Sequence, residues 1–134
     1  MIGIVIAAHG DLAEALRNTI QGFVGETPNL TAVNLLPEWG QEEYTEALRR
    51  HAQQVDQGDG VLFVTDFYGG TPSNCVLRLI SENDKWAGIT GVNLTMLFEV
   101  VMNADEATSA AQLGEMAHYS AREGIQALTL VIPE

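Results

Sequence analysis

Short apolar runs rich in β-branched residues alternate along this sequence with longer stretches in which apolar residues recur at helical spacing. Parallel strands joined by crossover helices produce such an alternation, because the chain must return along a helix before it can add the next parallel strand. The first run, residues 2–8, is apolar on both faces, as is typical of a central parallel strand. The pattern therefore predicts a doubly wound α/β fold with helices on both faces of the sheet.

The same criteria place the remaining elements. Strands are predicted at residues 30–36, 60–65, 86–92 and 125–132, and helices at residues 11–23, 42–55, 72–80, 94–102 and 106–122. Gly25 is expected to end the first helix. Pro72 suits the first position of the third helix, where the Thr71 hydroxyl can cap free amides. Because no repeat, low-complexity tract or linker interrupts the pattern, one domain over residues 1–134 is expected.

The composition limits the compartment and the partners. The chain carries 18 acidic and 6 basic residues, a net charge of −12, which would repel nucleic acid and anionic lipid and attract a basic protein. Its single cysteine excludes an internal disulfide and a cysteine-based zinc cage. The apolar runs are too short to span a bilayer, and no signal peptide precedes the first strand. We therefore expect a cytoplasmic protein without direct membrane insertion.

Two titratable side chains follow strands of the predicted sheet. His9 comes directly after the first strand and Asp66 directly after the third. In doubly wound sheets, ligand and reaction sites lie at the carboxyl ends of strands, near the point where the winding reverses. If the strand order is 2-1-3-4, which is assumed rather than derived from the pattern, these two strands are adjacent. His9 and Asp66 would then face each other at that point.

The backbone near both residues is suited to bind an anion. His9 precedes Gly10 and the start of a helix, where free amides and the helix dipole favour negative charge. Gly69 and Gly70 permit close approach of the backbone, and Thr71 can donate a hydrogen bond to a phosphate oxygen. A tight turn followed by a helix cap would also account for these glycines and for Thr71. If the two segments converge, they form a phosphoryl-binding site.

His9 is the candidate nucleophile. To attack phosphorus it must be neutral with one ring nitrogen free, and a carboxylate that accepts a hydrogen bond from the other nitrogen would fix this tautomer. Asp66 is the candidate for this orienting role. Considered alone, a histidine after a strand is more often a hydrogen-bonded loop residue than a nucleophile. The proposed chemistry requires neither a metal nor a cofactor, and the sequence contains no obvious metal-binding cluster.

Other conspicuous residues are expected to have structural or peripheral roles. Asp11 suits a helix cap or a first-turn acid. Arg17, two turns beyond His9 on the first helix, could border a surface on which a partner docks. The remaining polar and aromatic residues that stand out are expected to pack in the core or to lie at the surface: His51, Thr65, Cys75, His118, Trp39 and Trp86.

Three segments of the chain resemble one protein family. They are residues 3–13, GIVIAAHGDLA, residues 65–74, TDFYGGTPSN, and residues 91–97, GVNLTML. Together they resemble the enzyme IIA domains of the mannose, fructose and sorbose family of the bacterial phosphotransferase system (PTS), in the family's order and spacing over essentially the whole chain. Thr95 departs from the family pattern, because many members have a proline at that position.

The resemblance implies a function and a fold. His9 would accept phosphate from the phosphocarrier HPr and pass it to a IIB component, with Asp66 hydrogen-bonded to the histidine and with Thr71 and residues 91–97 close to the phosphate. The family fold is a four-stranded parallel sheet plus one antiparallel strand, here residues 125–132, which is exchanged between the subunits of a homodimer. Because this sequence contains no IIB domain, we expect the IIB partner to be a separate protein.

Two other functions are compatible with the same residues. The phosphotransferase subunit of dihydroxyacetone kinase has a similar first domain with a strand-end histidine but a different acceptor. The loop at residues 66–72 resembles the sugar-transport branch more closely. A regulatory module, in which phosphorylation of His9 changes the choice of partner without onward transfer, would use the same site. Incubation of the phosphorylated protein with candidate IIB domains would separate these functions.

Overall fold

The computed structural model describes residues 1–130, which contain four strands and five helices. The strands are β1 (Gly3–His9), β2 (Leu30–Leu35), β3 (Val61–Thr65) and β4 (Trp86–Ile89). The helices are α1 (Leu12–Val24), α2 (Gln41–Val55), α3 (Thr71–Glu82), α4 (Leu94–Asn103) and α5 (Ala110–Glu123). All four strands run parallel in one sheet of order β2-β1-β3-β4. The predicted sheet and its assumed strand order are confirmed.

Apolar layers cover both faces of the sheet. Side chains along β1 alternate between them: Ile4 and Ile6 pack with residues of α1, α4 and α5, whereas Val5 and Ala7 pack with residues of α2 and α3. All four side chains are completely buried, as the apolar pattern on both faces of this strand predicted. No helix within residues 1–130 is both long and apolar enough to cross a membrane.

Helix boundaries depart from the sequence predictions where the capping residues differ. Gly25 ends α1 as predicted, with a φ of 85° that favours glycine. The predicted cap at Thr71 is wrong, because Gly70 is the N-cap of α3 and Thr71 is its first helical residue. The last helix begins at Ala110 instead of residue 106, since the Ser109 side chain accepts a hydrogen bond from a backbone amide of the first turn.

The fourth strand is shorter than predicted. β4 ends at Ile89 instead of residue 92, and the chain then turns at Gly91, whose φ is 81°. After the turn, the Val92 amide donates a 3.0 Å hydrogen bond to the carbonyl of Thr65 at the end of β3. This contact places the start of the segment at residues 91–97 beside the carboxyl end of β3.

The predicted fifth strand covers residues 125–132. Residues 125–130 form no strand with the sheet of this single chain, and residues 131 and 132 lie outside the described range. The side chains of Ile125, Leu128 and Leu130 are exposed, the latter two completely. This segment therefore presents apolar side chains that the described fold does not bury.

Most of the residues expected to be structural are placed as predicted. Thr65, Cys75 and Trp86 are buried, and Trp39 packs against the layer formed by α2 and α3. His118 is exposed on α5. The predictions for these side chains as core or surface residues are confirmed.

Asp56 ties the loop before β3 to β4. One carboxylate oxygen accepts the amides of Gly58 and Gly60 at 2.9 and 3.2 Å, and the other accepts the indole N–H of Trp86 at 2.9 Å. Burial alone would raise the pKa of Asp56, but these hydrogen bonds and nearby Lys85 outweigh it and lower the pKa below its usual value. The ionised carboxylate therefore stabilises the folded state.

Asp56→Asn is expected to lower the free energy of unfolding by about 1–3 kcal/mol at neutral pH, because an amide nitrogen cannot accept one of these hydrogen bonds. Urea unfolding monitored by circular dichroism would measure the change. Asp84→Asn is the matched control, since it removes the same charge from an exposed aspartate in the turn before β4 and should have little effect.

The effect of Asp56→Asn should also depend on pH. A carboxyl group whose pKa is lowered by folding stabilises the protein above its unfolded pKa, about 4, and loses this contribution as the pH falls through the folded value. The difference between native and variant protein should therefore shrink in acid. An equal difference at neutral and acidic pH would contradict a role for the ionised carboxylate.

Candidate functional site

His9 and Asp66 meet at the carboxyl edge of the sheet. β1 and β3 are adjacent and pair in a register that sets Ala7 opposite Thr65. His9 is the last residue of β1, one position further along than predicted, and Asp66 directly follows β3. The predicted juxtaposition of the two side chains follows from this register and is observed.

The carboxylate of Asp66 accepts three hydrogen bonds. Its Oδ2 lies 2.7 Å from Nδ1 of His9 and 3.0 Å from the His9 amide nitrogen, and its Oδ1 accepts the Phe67 amide at 3.0 Å. Burial would raise the pKa of Asp66, but these hydrogen bonds and the adjacent imidazole outweigh it and lower the pKa below its usual value. Asp66 is therefore ionised at neutral pH and can only accept hydrogen bonds.

This geometry determines which nitrogen of His9 is free. Because Asp66 is an acceptor, Nδ1 of a neutral His9 ring carries the proton and Nε2 keeps its lone pair. The His9 side chain is 42% exposed, whereas that of Asp66 is 11% exposed. The site thus combines a shielded carboxylate with an imidazole ring that is partly open to solvent.

Two residues of the loop after β3 contact the His9 ring. The Phe67 ring stacks on it with a centroid distance of 4.9 Å and an angle of 11° between the planes. Gly70 lies so close that a Cβ atom there would be 2.7 Å from Cε1 of His9. Gly70 was predicted from its place in a glycine pair, whereas Phe67 was not. The only sequence signal for Phe67 is its position directly after Asp66.

Buried hydroxyl groups hold this loop in place. The Ser73 hydroxyl donates to the carbonyl of Phe67 at 2.5 Å and lies 2.8 Å from the hydroxyl of Thr65. Ser73 and Thr65 are both buried. The Ser73 hydroxyl therefore fixes the loop and is not presented to a phosphate.

The remaining predicted residues follow His9 or Asp66 closely in the sequence. Gly10 and Gly69 have φ values of 60° and 90°, which favour glycine, and open space surrounds the position of a Cβ at each. Thr71 is half-buried in the first turn of α3. Asp11 is the N-cap of α1, as expected, but its side chain makes no capping hydrogen bond in the described structure.

Arg17 and Thr95 were also singled out from the sequence, and each lies on a helix. Arg17 forms an ion pair with Glu14 on α1 at 3.4 Å, and its side chain is partly exposed. Thr95, where the family pattern has proline, lies in the first turn of α4 next to Gly124. α4 begins regularly there, with the Asn93 side chain accepting a hydrogen bond from the amide of a first-turn residue.

Within residues 1–130, no three His, Cys, Asp or Glu side chains group together as metal ligands would.

Gly70→Ala is expected to displace the His9 ring. The backbone of Gly70 has a φ of −84°, which alanine adopts freely, so the effect would come from the methyl group against the imidazole and the edge of the Phe67 ring. Because the ring is partly exposed and can turn outward, the free energy of unfolding should fall by only about 1 kcal/mol. NMR resonances of the His9 ring should shift strongly. Gly22→Ala, at an open position of α1, is the control and should leave those resonances unchanged.

Comparison with known proteins gives the family. A family model described as PTS system fructose IIA component (EIIA-man) matches residues 3–117. The mannose-specific EIIAB component of the PTS of Escherichia coli (strain K12) is 35% identical over 127 residues, which make up 95% of this chain and 39% of that protein. The fructose-specific EIIA component of Bacillus subtilis (strain 168) is 36% identical over 105 residues, 75% of this chain and 69% of that protein.

A solved structure agrees with these relatives. The crystal structure of phosphotransferase system component EIIA from Streptococcus agalactiae superposes with a TM-score of 0.87 at 27% identity, covering 95% of this chain and 97% of that one. The chain thus spans less than half of the E. coli relative but nearly all of this structure. The resemblance predicted from three sequence segments is confirmed, and this chain belongs to the mannose-type IIA (EIIA-man) family of the phosphotransferase system.

Proposed function

We propose that this protein is a phosphoryl carrier of a sugar phosphotransferase system, in which Nε2 of His9 accepts a phosphoryl group and passes it on. The observation that carries the proposal is the 2.7 Å hydrogen bond between Nδ1 of His9 and the ionised Asp66. This bond keeps the proton on Nδ1 and leaves the lone pair of Nε2 on an exposed ring. Family membership supports the same role.

The transfer step needs no proton to leave the site. The lone pair of Nε2 of His9 forms a bond to phosphorus, while the bond from phosphorus to the histidine nitrogen of phospho-HPr breaks and its electron pair returns to that ring. The His9 ring, still protonated at Nδ1, then carries a positive charge. Asp66 stabilises this charge without taking the proton. The reverse sequence delivers the phosphoryl group to a IIB component.

The surrounding backbone supplies the oxyanion contacts in this proposal. Gly10 precedes the free amides of α1, and Gly69, Gly70 and Thr71 precede or begin α3. Helix N-termini and their amides favour the negative charge of a phosphoryl group. Gly70 already contacts the His9 ring, which supports convergence of the second segment on the reacting nitrogen.

Partners follow from the same assignment. HPr would donate the phosphoryl group and a IIB component would accept it, as membership of the IIA family suggests. The net charge of −12 suits encounters with a donor whose docking surface is basic. The mannose- and fructose-specific names of two relatives support a sugar as the final acceptor.

The test is intact-mass spectrometry after incubation with phosphoenolpyruvate, enzyme I and HPr. The native protein should gain one acid-labile phosphoryl group and His9→Ala should gain none. His118→Gln, which changes an exposed histidine on α5, is the matched control and should be phosphorylated normally. Loss of the label on addition of a IIB component, with the phosphoryl group appearing on IIB, would support onward transfer. Failure of the native protein to gain a phosphoryl group would overturn the proposal.

Asp66→Asn should slow phosphorylation by roughly 100-fold to 10,000-fold while leaving the fold intact. The amide of asparagine can donate to Nδ1, which would move the ring proton to Nε2 and block the attacking lone pair. Rapid-quench measurement of the transfer rate would show the effect. A rate equal to that of the native protein would contradict the orienting role of Asp66.

We also propose that the protein forms a homodimer by exchange of residues 125–132. Within the described residues, β4 is an edge strand, and a groove beside it is lined by Val76, Leu77, Ile80 and Ile89. An open edge with an apolar groove favours the addition of another strand. The exposed apolar side chains after α5 supply a strand of suitable composition, and a second copy of the chain is the occupant of the groove in this proposal.

Leu128→Asp is expected to weaken this dimer, because a carboxylate cannot be buried in the apolar groove without cost. Light scattering coupled to size-exclusion chromatography should give a dimer for the native protein and a monomer for the variant. Thr129→Asp, which adds the same charge at the next position, on the opposite face of the proposed strand, is the control. A native protein that elutes as a monomer at all concentrations would overturn the exchange.

A further inference from the structure

Phe67 occupies an unusual place for a large apolar side chain. It is 53% exposed and belongs to neither of the apolar layers that cover the sheet. Its ring instead lies nearly parallel to the imidazole of His9, with centroids 4.9 Å apart. The side chain therefore contributes little to the core, and its main described contact is with the reactive ring.

The backbone of Phe67 is held on both sides. Its amide donates to Oδ1 of Asp66, and its carbonyl accepts the hydroxyl of Ser73. Ser73 is itself buried against Thr65 at the end of β3. The backbone of Phe67 is thus tied to the edge of the sheet by two hydrogen bonds.

The hydrogen bond to Asp66 alone does not fix the plane of the imidazole. It holds Nδ1 near Oδ2, but small coupled changes of the two side-chain torsions can still tilt the ring and move Nε2 while this hydrogen bond is kept. The stacked ring of Phe67 blocks this motion on one face, and Gly70 meets the Cε1 edge. These contacts restrict the orientation of the ring and therefore the direction in which the lone pair of Nε2 points.

We propose that Phe67 is a positioning residue for phosphoryl transfer, which fixes the plane of the His9 ring and stabilises the positive charge that the ring acquires. The inference rests on the proposed role of His9 as phosphoryl acceptor. Attack on phosphorus requires an aligned lone pair, so loss of alignment lowers the rate of the transfer step. The face of an aromatic ring also attracts a cation placed over it, which an aliphatic side chain of similar size does not.

The test compares Phe67→Leu with Phe67→Tyr. Leucine fills much of the same space without a planar ring, whereas tyrosine keeps the aromatic face. In single-turnover experiments, Phe67→Leu should lower the first-order transfer rate at saturating phospho-HPr by roughly 10-fold, with the half-saturating concentration unchanged. Phe67→Tyr should restore the native rate. Because the side chain is about half exposed and lies outside both apolar layers, both variants should unfold at nearly the same urea concentration as the native protein.

A second readout needs no phosphoryl donor. The ring protons of His9 should be shielded by the stacked Phe67 ring in the unphosphorylated protein, and Phe67→Leu should move their NMR resonances downfield. Tyr68→Leu, which removes the neighbouring aromatic ring that is 80% exposed, should leave them in place. Unshifted His9 resonances in Phe67→Leu would overturn the stacking role even if His9 is phosphorylated. A native transfer rate in Phe67→Leu would overturn the positioning role.

These readouts also separate this inference from the proposed function. If the native protein gains no phosphoryl group, the carrier role fails, and the ring resonances still decide whether Phe67 orients His9. If the native protein is phosphorylated and Phe67→Leu transfers more slowly because half-saturation needs more phospho-HPr, Phe67 acts in docking and the inference is overturned.

Discussion

The parallel pairing of β1 with β3 is the constraint on which the site depends. Its register sets Ala7 opposite Thr65, so that His9, two residues beyond Ala7, meets Asp66, one residue beyond Thr65, across 57 positions of sequence. Both strands are buried on both faces of the sheet apart from the partly exposed His9. A slip of one residue would turn each of their side chains to the opposite layer, and the packing of both layers resists this change.

Asp66 converts this proximity into a defined chemical state. Its carboxylate takes hydrogen bonds from the backbone of both neighbouring strand ends and from the imidazole, which keeps it ionised. An ionised carboxylate selects the His9 tautomer with the proton on Nδ1. Because the acceptor is already in place in the resting protein, little rearrangement is needed when positive charge develops on the ring.

An aspartate precedes the third strand and another follows it, and each accepts three hydrogen bonds. Asp56 holds the framework together, whereas Asp66 holds the candidate reactive histidine. Asp56, before β3, accepts two loop amides and an indole N–H, all of which belong to the framework. Asp66, after β3, accepts two backbone amides and the nitrogen of a partly exposed ring. Folding lowers the pKa of both carboxyl groups, so this shift by itself does not distinguish a structural from a reactive site. The two sites differ in the exposure of the side chain that donates to the carboxylate: Trp86 beside Asp56 is buried, whereas His9 beside Asp66 is partly exposed.

The sequence by itself determined the four parallel strands of the sheet and the positions of His9 and Asp66, because apolar periodicity locates strands and the carboxyl ends of strands locate sites in such sheets. It misplaced the cap of α3, since a glycine and a threonine in succession both suit a helix start. Only the tertiary structure decided that Nε2 is the free nitrogen and that Phe67 stacks on the ring. Both depend on how a loop folds over a residue from another strand, and local sequence preferences contain no information about such contacts through space.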